Sequence, residues 1–399
     1  MKKLVLISLA ASATLFGAGY KIPENSINSM ALGAAYVAHA HGADASYFNP
    51  ANMAFESKHA LEVSANIIAV TATKYDSNAG DASISAESEL KIAPSLHYVS
   101  PSMGNATLGL SIVVPAGNSK RWNDQPAKGF AKEFTLRVIE INPTVGYKIN
   151  DTLAVGAGVR LINSSGTVKS QSTASRDLAG ESWDYGYNFA LSYKPTESLA
   201  LAATYRSNVD LTEVGTAKLY FPDNADYSGT KTYDGDASVM IPLPAALNLA
   251  VAYTFESITT VEFVYEHTFW SAYDQLDFGY ESSIGALTPS FDDPIAKDWK
   301  DTSTYRLGVT QAYEKWTAMA GVSYDESPIP EETLNFETPG SDAWIVSLGG
   351  RYELSPSWSL GAAGLVSIKE DREVVNDNVD GTFSDTKAYL FTLGAEYTF

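Results

Sequence analysis

From residue 59 to the end, apolar residues alternate with small or polar ones in one short segment after another. In "HALEVSANIIAV", Leu61, Val63, Ala65 and Ile67 share one parity, and Glu62, Ser64 and Asn66 the other. In "TLAVGAGVRLIN", Leu153, Val155, Val159 and Leu161 oppose Gly156, Gly158 and Arg160. In "KWTAMAGVSY", Trp316, Ala318, Ala320, Val322 and Tyr324 oppose Thr317, Gly321 and Ser323. The closing "KAYLFTLGAEYTF" sets Tyr389, Phe391, Leu393, Ala395, Tyr397 and Phe399 against Thr392, Gly394, Glu396 and Thr398. A strand built this way has one greasy face and one small or polar face. A soluble sandwich uses such strands too, so the decision rests on what joins them.

We read fourteen candidate strands, whose connections alternate in length. Short links fall at 100–105, 148–151, 194–198, 255–257, 313–315 and 354–357. Long polar links fall near 76–86, 116–132, 164–181, 222–237, 281–299, 328–341 and 370–383. Short turns on one rim and long loops on the other are the habit of bacterial outer-membrane barrels. An even strand number brings both chain ends to the periplasmic rim, with the aromatic Phe399 finishing the last strand. Two departures are visible. "FTLRVIEINPTVGY" changes apolar parity near Val138, which implies a bulge or an apolar patch lining the lumen. Pro242 and Pro244 in "VMIPLPAAL" imply a local distortion, because a paired strand has little place for a residue without an amide donor.

Export is written at the front of the chain. Met1-Lys2-Lys3, an apolar core from Leu4 to Phe16, and small residues at Gly17 and Ala18 read as a secretory signal peptide over residues 1–18. Losing its two lysines shifts the net charge from −20 to about −22. Later in the chain no apolar run reaches the length of a membrane-spanning helix. There is no cysteine, hence no disulfide and no thiolate metal site. The acidity argues against a nucleic-acid partner.

With the greasy faces toward lipid, Arg160, Arg206, Arg306 and Arg351 point into the bore, as do Glu262, Glu266 and Glu396. Lumenal charges of both signs commonly pair with one another. An arginine left over is suited to a substrate carboxylate, which its guanidinium meets with two parallel hydrogen bonds. A barrel this wide leaks unless something fills it. Residues 19–58 do not alternate. "SINSMALGAAYVAHA" carries a small-residue face at Ala31, Ala34, Ala35 and Ala38; Asp44 and Ser46 are placed to cap a short helix; Asn49-Pro50 is a turn signal. A flexible tail would be polar. This piece is compact and suits a plug in the lumen.

These residues resemble the FadL family of outer-membrane transporters for long-chain fatty acids and other hydrophobic compounds. The segment 18–54, with Asn49, Pro50 and Ala51, resembles the family's N-terminal hatch. The segment 304–330, ending on Asp325, Ser327, Pro328 and Pro330, resembles a second family block, and 203–211 and the closing strand resemble further pieces. The resemblance implies an all-β, fourteen-stranded antiparallel barrel over 59–399, plugged by a partly helical hatch at 19–58. It implies capture of a hydrophobic molecule near the outer rim, binding at a site touching Tyr20 and Ile22, and exit sideways through the wall at a kinked third strand. Here that strand is 106–117, with Gly109 expected at the distortion and the Asn-Pro-Ala segment near the opening. Arg160 and Arg206 are the candidates to meet a carboxylate, and Asp44 belongs to the hatch. Asp277 stands where relatives offer a second base, which favours an uncharged cargo.

The expected partners are a fatty acid or hydrocarbon, outer-membrane lipid and lipopolysaccharide, with the barrel a monomer. No cofactor, metal or catalytic group is expected. His39 and His41 lack a convincing third ligand, His267 fits an interfacial girdle, and 377–385 lacks the spacing of a calcium loop. The competing readings are a diffusive porin for polar solutes, which needs no plug, and a barrel enzyme or adhesin.

Overall fold

A computed structural model describes residues 19–56, 58–221, 232–256 and 258–399. The signal peptide, at 1–18, lies outside the described residues. The main sheet closes on itself. Its seventeen strand segments make fourteen antiparallel strands, because two strands are interrupted and a third resumes after an excursion. In chain order these are β1 (Ala60–Val70), β2 (Glu89–Val99), β3 (Ala106–Lys120), β4 (Glu133–Lys148), β5 (Leu153–Gln171), β6 (Ser175–Tyr193), β7 (Leu199–Arg206 and Val209–Tyr220), β8 (Thr232–Leu243 and Ala246–Phe255), β9 (Thr259–Thr268, resuming at Phe278–Tyr280), β10 (Thr302–Ala312), β11 (Trp316–Asp325), β12 (Ala343–Ser355), β13 (Trp358–Lys369) and β14 (Lys387–Thr398). Ladder pairing of β1 with β14, from Ala60 opposite Thr398 to Val70 opposite Ala388, closes the cylinder.

The alternation sorts as expected. Leu191, Leu307, Val346, Leu360 and Phe391 are exposed on the outside, and Tyr147, Tyr193, Trp316, Trp358 and Phe399 form an aromatic girdle at the short-turn end. On β4 the even residues Phe134, Leu136, Val138 and Glu140 all face inward without a break in phase. The parity change in the sequence is therefore an apolar patch lining the bore. The distortion expected at the prolines is present: β8 is interrupted at Pro244, opposite a break in β7 at Ser207 and Asn208. Across that break the buried parity of β7 inverts, from even residues up to Arg206 to odd residues from Val209.

One expected loop is absent. Residues 164–181 are strand: β5 runs to Gln171 and β6 begins at Ser175. Ile162, Ser164 and Val168 continue the inward row, while the outward row turns polar above the lipid. A reading keyed to the greasy outer face stops too early there.

Residues 19–56 fill the bore. They form α1 (Ile27–Ala31), α2 (Ala45–Phe48) and a 3-10 turn (Asn52–Phe55). Ser26 caps α1 reciprocally with Ser29. The expected helix stops after one turn, because Gly33 and Ala34 adopt positive φ of 56° and 62°. That turn presses into β10–β13: a Cβ on Gly321 would overlap the Leu32 carbonyl. Ile27, Met30, Tyr36 and Met53 are fully buried, each worth about 1.5–3 kcal/mol relative to exposure. At the outer end, loops cover the bore. Residues 74–77, 83–85, 372–375 and 380–384 form a small sheet. Beneath it Trp122, Phe336 and Phe383 pack together, and Lys297 and Glu337 form a buried ion pair.

Candidate functional site

The wall is discontinuous at β3. Strands β2 and β3 pair only from Leu96 opposite Ile112 to Val99 opposite Gly109. Just above, Val114 and Pro115 oppose the single residue Ile139 of β4, a bulge that turns β3 inward. From Val113 to Lys120 both faces of β3 are buried. Backbone pairing on the β2 side resumes where Glu87 donates its amide to Arg121 O at 2.9 Å. The slit is bordered on β2 by Leu90 and Ile92, both exposed toward lipid. Gly109 is not at the distortion. It is regularly paired on both sides. Its missing side chain instead leaves room for the plug, since a Cβ there would lie 2.6 Å from Met53 Sδ and 2.8 Å from Ser46 Cβ.

The inward-turned part of β3 is partnered by the chain's N-terminal residues. Ile22 N donates to Pro115 O (2.8 Å), and Gly117 N donates to Tyr20 O (2.9 Å). Tyr20 is buried against Trp270, Tyr273 and Trp299 at ring-centroid distances of 4.8, 6.2 and 5.7 Å, and its hydroxyl donates to Pro242 O. Lys21 reaches Glu266 at 2.7 Å, and Glu266 also accepts from Arg306 (3.3 Å).

Beside this segment lies a narrow cavity of about 90 Å³. Ile22, Pro50, Arg160 and Arg206 line it together, with Pro115 of the bulge and Pro244 of the β8 break. Tyr20 stands apart, in the aromatic cluster. Neither arginine is idle. Both pair with Glu140, Arg160 through Nε and Nη2 at 3.2 and 3.1 Å. Arg160 Nη1 donates to Ser207 O at 2.5 Å, at the interruption of β7, and Arg206 lies over the Tyr47 ring at 4.2 Å. Burial pushes the Tyr47 hydroxyl up to about 12, so it remains a neutral donor.

Several side chains bolt the plug to the wall. Glu262 on β9 accepts from Val37 N (2.7 Å), Ala38 N (2.6 Å) and His39 N (3.2 Å). His97 on β2 bridges Asn25 O (3.0 Å) and Ser111 Oγ (3.1 Å). Asp44 does not cap α2 through its side chain; it accepts from Tyr36 OH at 2.9 Å. Burial, reinforced by the nearby Glu62, pushes its carboxyl well above the usual range. Burial and the neighbouring His41 hold His39 near 3, so it is neutral. The Asn-Pro-Ala turn is not at the slit. Asn49 Nδ2 donates to Val37 O and Ser192 Oγ, both at 2.9 Å, Pro50 lies on Gly146 and Gly156, and Ala51 packs with Ala154 and Ala190. These are residues of β4, β5 and β6.

A second pocket, about 410 Å³, opens at the outer rim between Phe130, Phe134, Leu276, Phe278 and Phe291. Arg176 is its buried cation, 3.9 Å from the Phe278 centroid, donating to Phe291 O at 3.1 Å and leaving Nε unpartnered. Asp277, by contrast, is exposed. The residues missed from the sequence are Glu140 and Arg176, whereas Glu262 points into the bore as its parity implies. Glu140 carried a signal, as a lone acid on the same parity as Phe134, Leu136 and Val138.

A plugged barrel with one inward-turned wall strand finds its match among known proteins. A family model described as outer membrane protein transport protein (OMPP1/FadL/TodX) matches residues 7–399. The chain belongs to this family. It is similar to the long-chain fatty acid transport protein of Escherichia coli O6:H1, 23% identical over 77% of this chain and 76% of that one. It is similar also to outer membrane protein P1 of Haemophilus influenzae, 24% identical over 77% and 75%. Among solved structures, a Pseudomonas aeruginosa FadL homologue superposes with a TM-score of 0.82 at 21% identity, covering 95% of this chain and 99% of that one. The Pseudomonas putida toluene transporter TodX gives 0.70 at 17%, covering 94% and 97%. Like its relatives, this FadL-family chain is an outer-membrane transport protein, not an enzyme.

Proposed function

We propose that the chain passes long-chain fatty acids or hydrocarbons from the outer-rim pocket, past the cavity at Ile22, Arg160 and Arg206, and out through the slit between β2 and β3. Residues 19–58 act as the hatch and 1–18 as a removed export signal. Asp44, Asn49, Pro50 and Ala51 hold the hatch in its seat, Gly109 makes room for it, and Tyr20 anchors the segment that covers the slit. The single observation carrying this reading is the exchange of partners on β3, which leaves β2 after Ile112 and takes Tyr20 and Ile22 instead. A short inner segment is easier to displace than a ladder of wall strands, and its displacement opens the bore toward lipid. An oily molecule leaving sideways never pays the return to water, which costs about 0.8 kcal/mol per methylene. The bore is filled by the hatch and its inward arginines are paired with acids, which disfavours a porin for polar solutes. The barrel, its ladder closed between β1 and β14, works as a monomer in lipid and lipopolysaccharide.

Deleting Pro115 tests the route, because it removes the bulge and lets β3 pair with β2. In proteoliposomes, uptake of dodecanoate and of toluene is expected to fall about tenfold or more, a barrier of at least ~1.4 kcal/mol. Undiminished uptake by a correctly folded deletion variant refutes lateral exit at this slit.

A further inference from the structure

The arginines of the bore have acids; two lysines above the slit do not. Lys120 ends β3 and is buried, and its Nζ meets one acceptor, Thr73 Oγ1, at 2.8 Å. Lys369 ends β13 on the inward row of Leu365 and Ser367, and its Nζ has no hydrogen-bond partner. A short relay ties the two together. Thr386 Oγ1 donates to Thr73 Oγ1 at 2.9 Å, and Lys369 N donates to Thr386 O at 3.2 Å. Lys120, Arg372 and Asp325 act electrostatically on Lys369, and Glu89 acts on Lys120. Arg372 is held by Gly340 O and Ile329 O, both at 2.7 Å. Glu89 is already matched by Lys91 at 3.1 Å and by Arg121. Asp325 accepts from Thr304 at 2.6 Å. Arg372 is answered by Asp342, Glu331 and Glu332, but no acid hydrogen-bonds Lys369 Nζ, and burying an unpartnered ammonium is costly.

We propose that Lys120 and Lys369 form a binding site for the carboxylate head of an amphiphilic cargo, distinct from the Glu140-paired arginines. The placement suits the task. Lys120 sits at the top of the stretch of β3 that has left β2, so an alkyl chain whose head rests between the lysines trails down along the slit. A carboxylate there completes the missing acceptors with charge-assisted hydrogen bonds. The site rests on the transport reading above and narrows its cargo from any hydrophobic molecule to an acid.

The test compares dodecanoate with dodecanol binding to the purified barrel. In Lys369→Met, dodecanoate is expected to weaken about tenfold or more while dodecanol is unchanged. Lys369→Arg, which keeps the charge, is expected to retain dodecanoate binding within about threefold. Equal weakening of both ligands, or no weakening of either, overturns the site. Binding of neither ligand by the unaltered protein overturns the transport reading itself.

Discussion

The two sides of this barrel are made from the same alternation and do opposite things. From β10 to β14 every strand is laddered to its neighbours over most of its length, and the inward face is pared down to receive the hatch. From β2 to β8 the ladder fails at the β2–β3 slit and at the Ser207 and Pro244 interruptions. The cavity, the paired arginines and the slit all lie on that broken side. Regular pairing gives a rigid seat. Interrupted pairing gives places where a backbone carbonyl or amide is free to take another partner, such as Arg160 or Ile22. In this molecule, departures from strand regularity mark function, and adherence to it marks anchorage.

Disturbing the anchorage tests whether the division is real. Glu262→Ala leaves the amides of Val37, Ala38 and His39 without their acceptor, a cost of about 3–5 kcal/mol to hatch seating. In planar bilayers the unaltered barrel is expected to pass little ion current and the variant a steady one. A silent variant shows that the hatch is held elsewhere. Gly321→Val is smaller in effect. Its side chain has to displace Leu32, at a cost of about 1–3 kcal/mol, and is expected to lower the thermal midpoint of the barrel without changing its ligand preference. Comparable damage to ligand choice means that seat and passage are not separate.

The fold was legible because period-2 patterning and loop sorting are long-range, redundant signals. Fourteen strands that close between the first and the last follow from them. The site was legible only in part. Ile22, Arg160, Arg206 and Pro50 do converge on one cavity. Yet Arg160 is committed to Glu140 and Ser207, and no strand pattern announces which inward acid of the neighbouring strand an inward arginine meets. Gly109 drew attention as the flexible residue of the third strand, while the bulge formed five residues on at a valine and a proline. Proline does not merely bend a strand there; it withholds the amide that β2 would need. The loop expected at 164–181 failed for a related reason: outward apolarity reports lipid, not strand.

Glu24, at the end of the segment laid on β3, offers the finest test of how the two sides communicate. Its carbonyl accepts from Asn66 of β1, and its carboxyl carries a buried oxygen, Oε2, with no partner. Burial, opposed in part by the Arg306 guanidinium, pushes that carboxyl up to about 7 from an ordinary 4.5. A carboxyl raised in the folded state binds its proton more tightly there than in the detached segment. Its contribution is therefore fully present below about 4.5 and is lost as pH rises through about 7. The loss amounts to about 1–3 kcal/mol. After correction for intrinsic exchange, the amides of Ile22 and Gly117 are expected to lose protection between about pH 5 and pH 8, and Glu24→Gln to remove that dependence. Protection independent of pH in the unaltered chain, or the same slope in the glutamine variant, means that Glu24 does not control the contact. The broken side would then be held shut by the aromatic packing of Tyr20, the Lys21–Glu266 pair and the backbone bonds to β3.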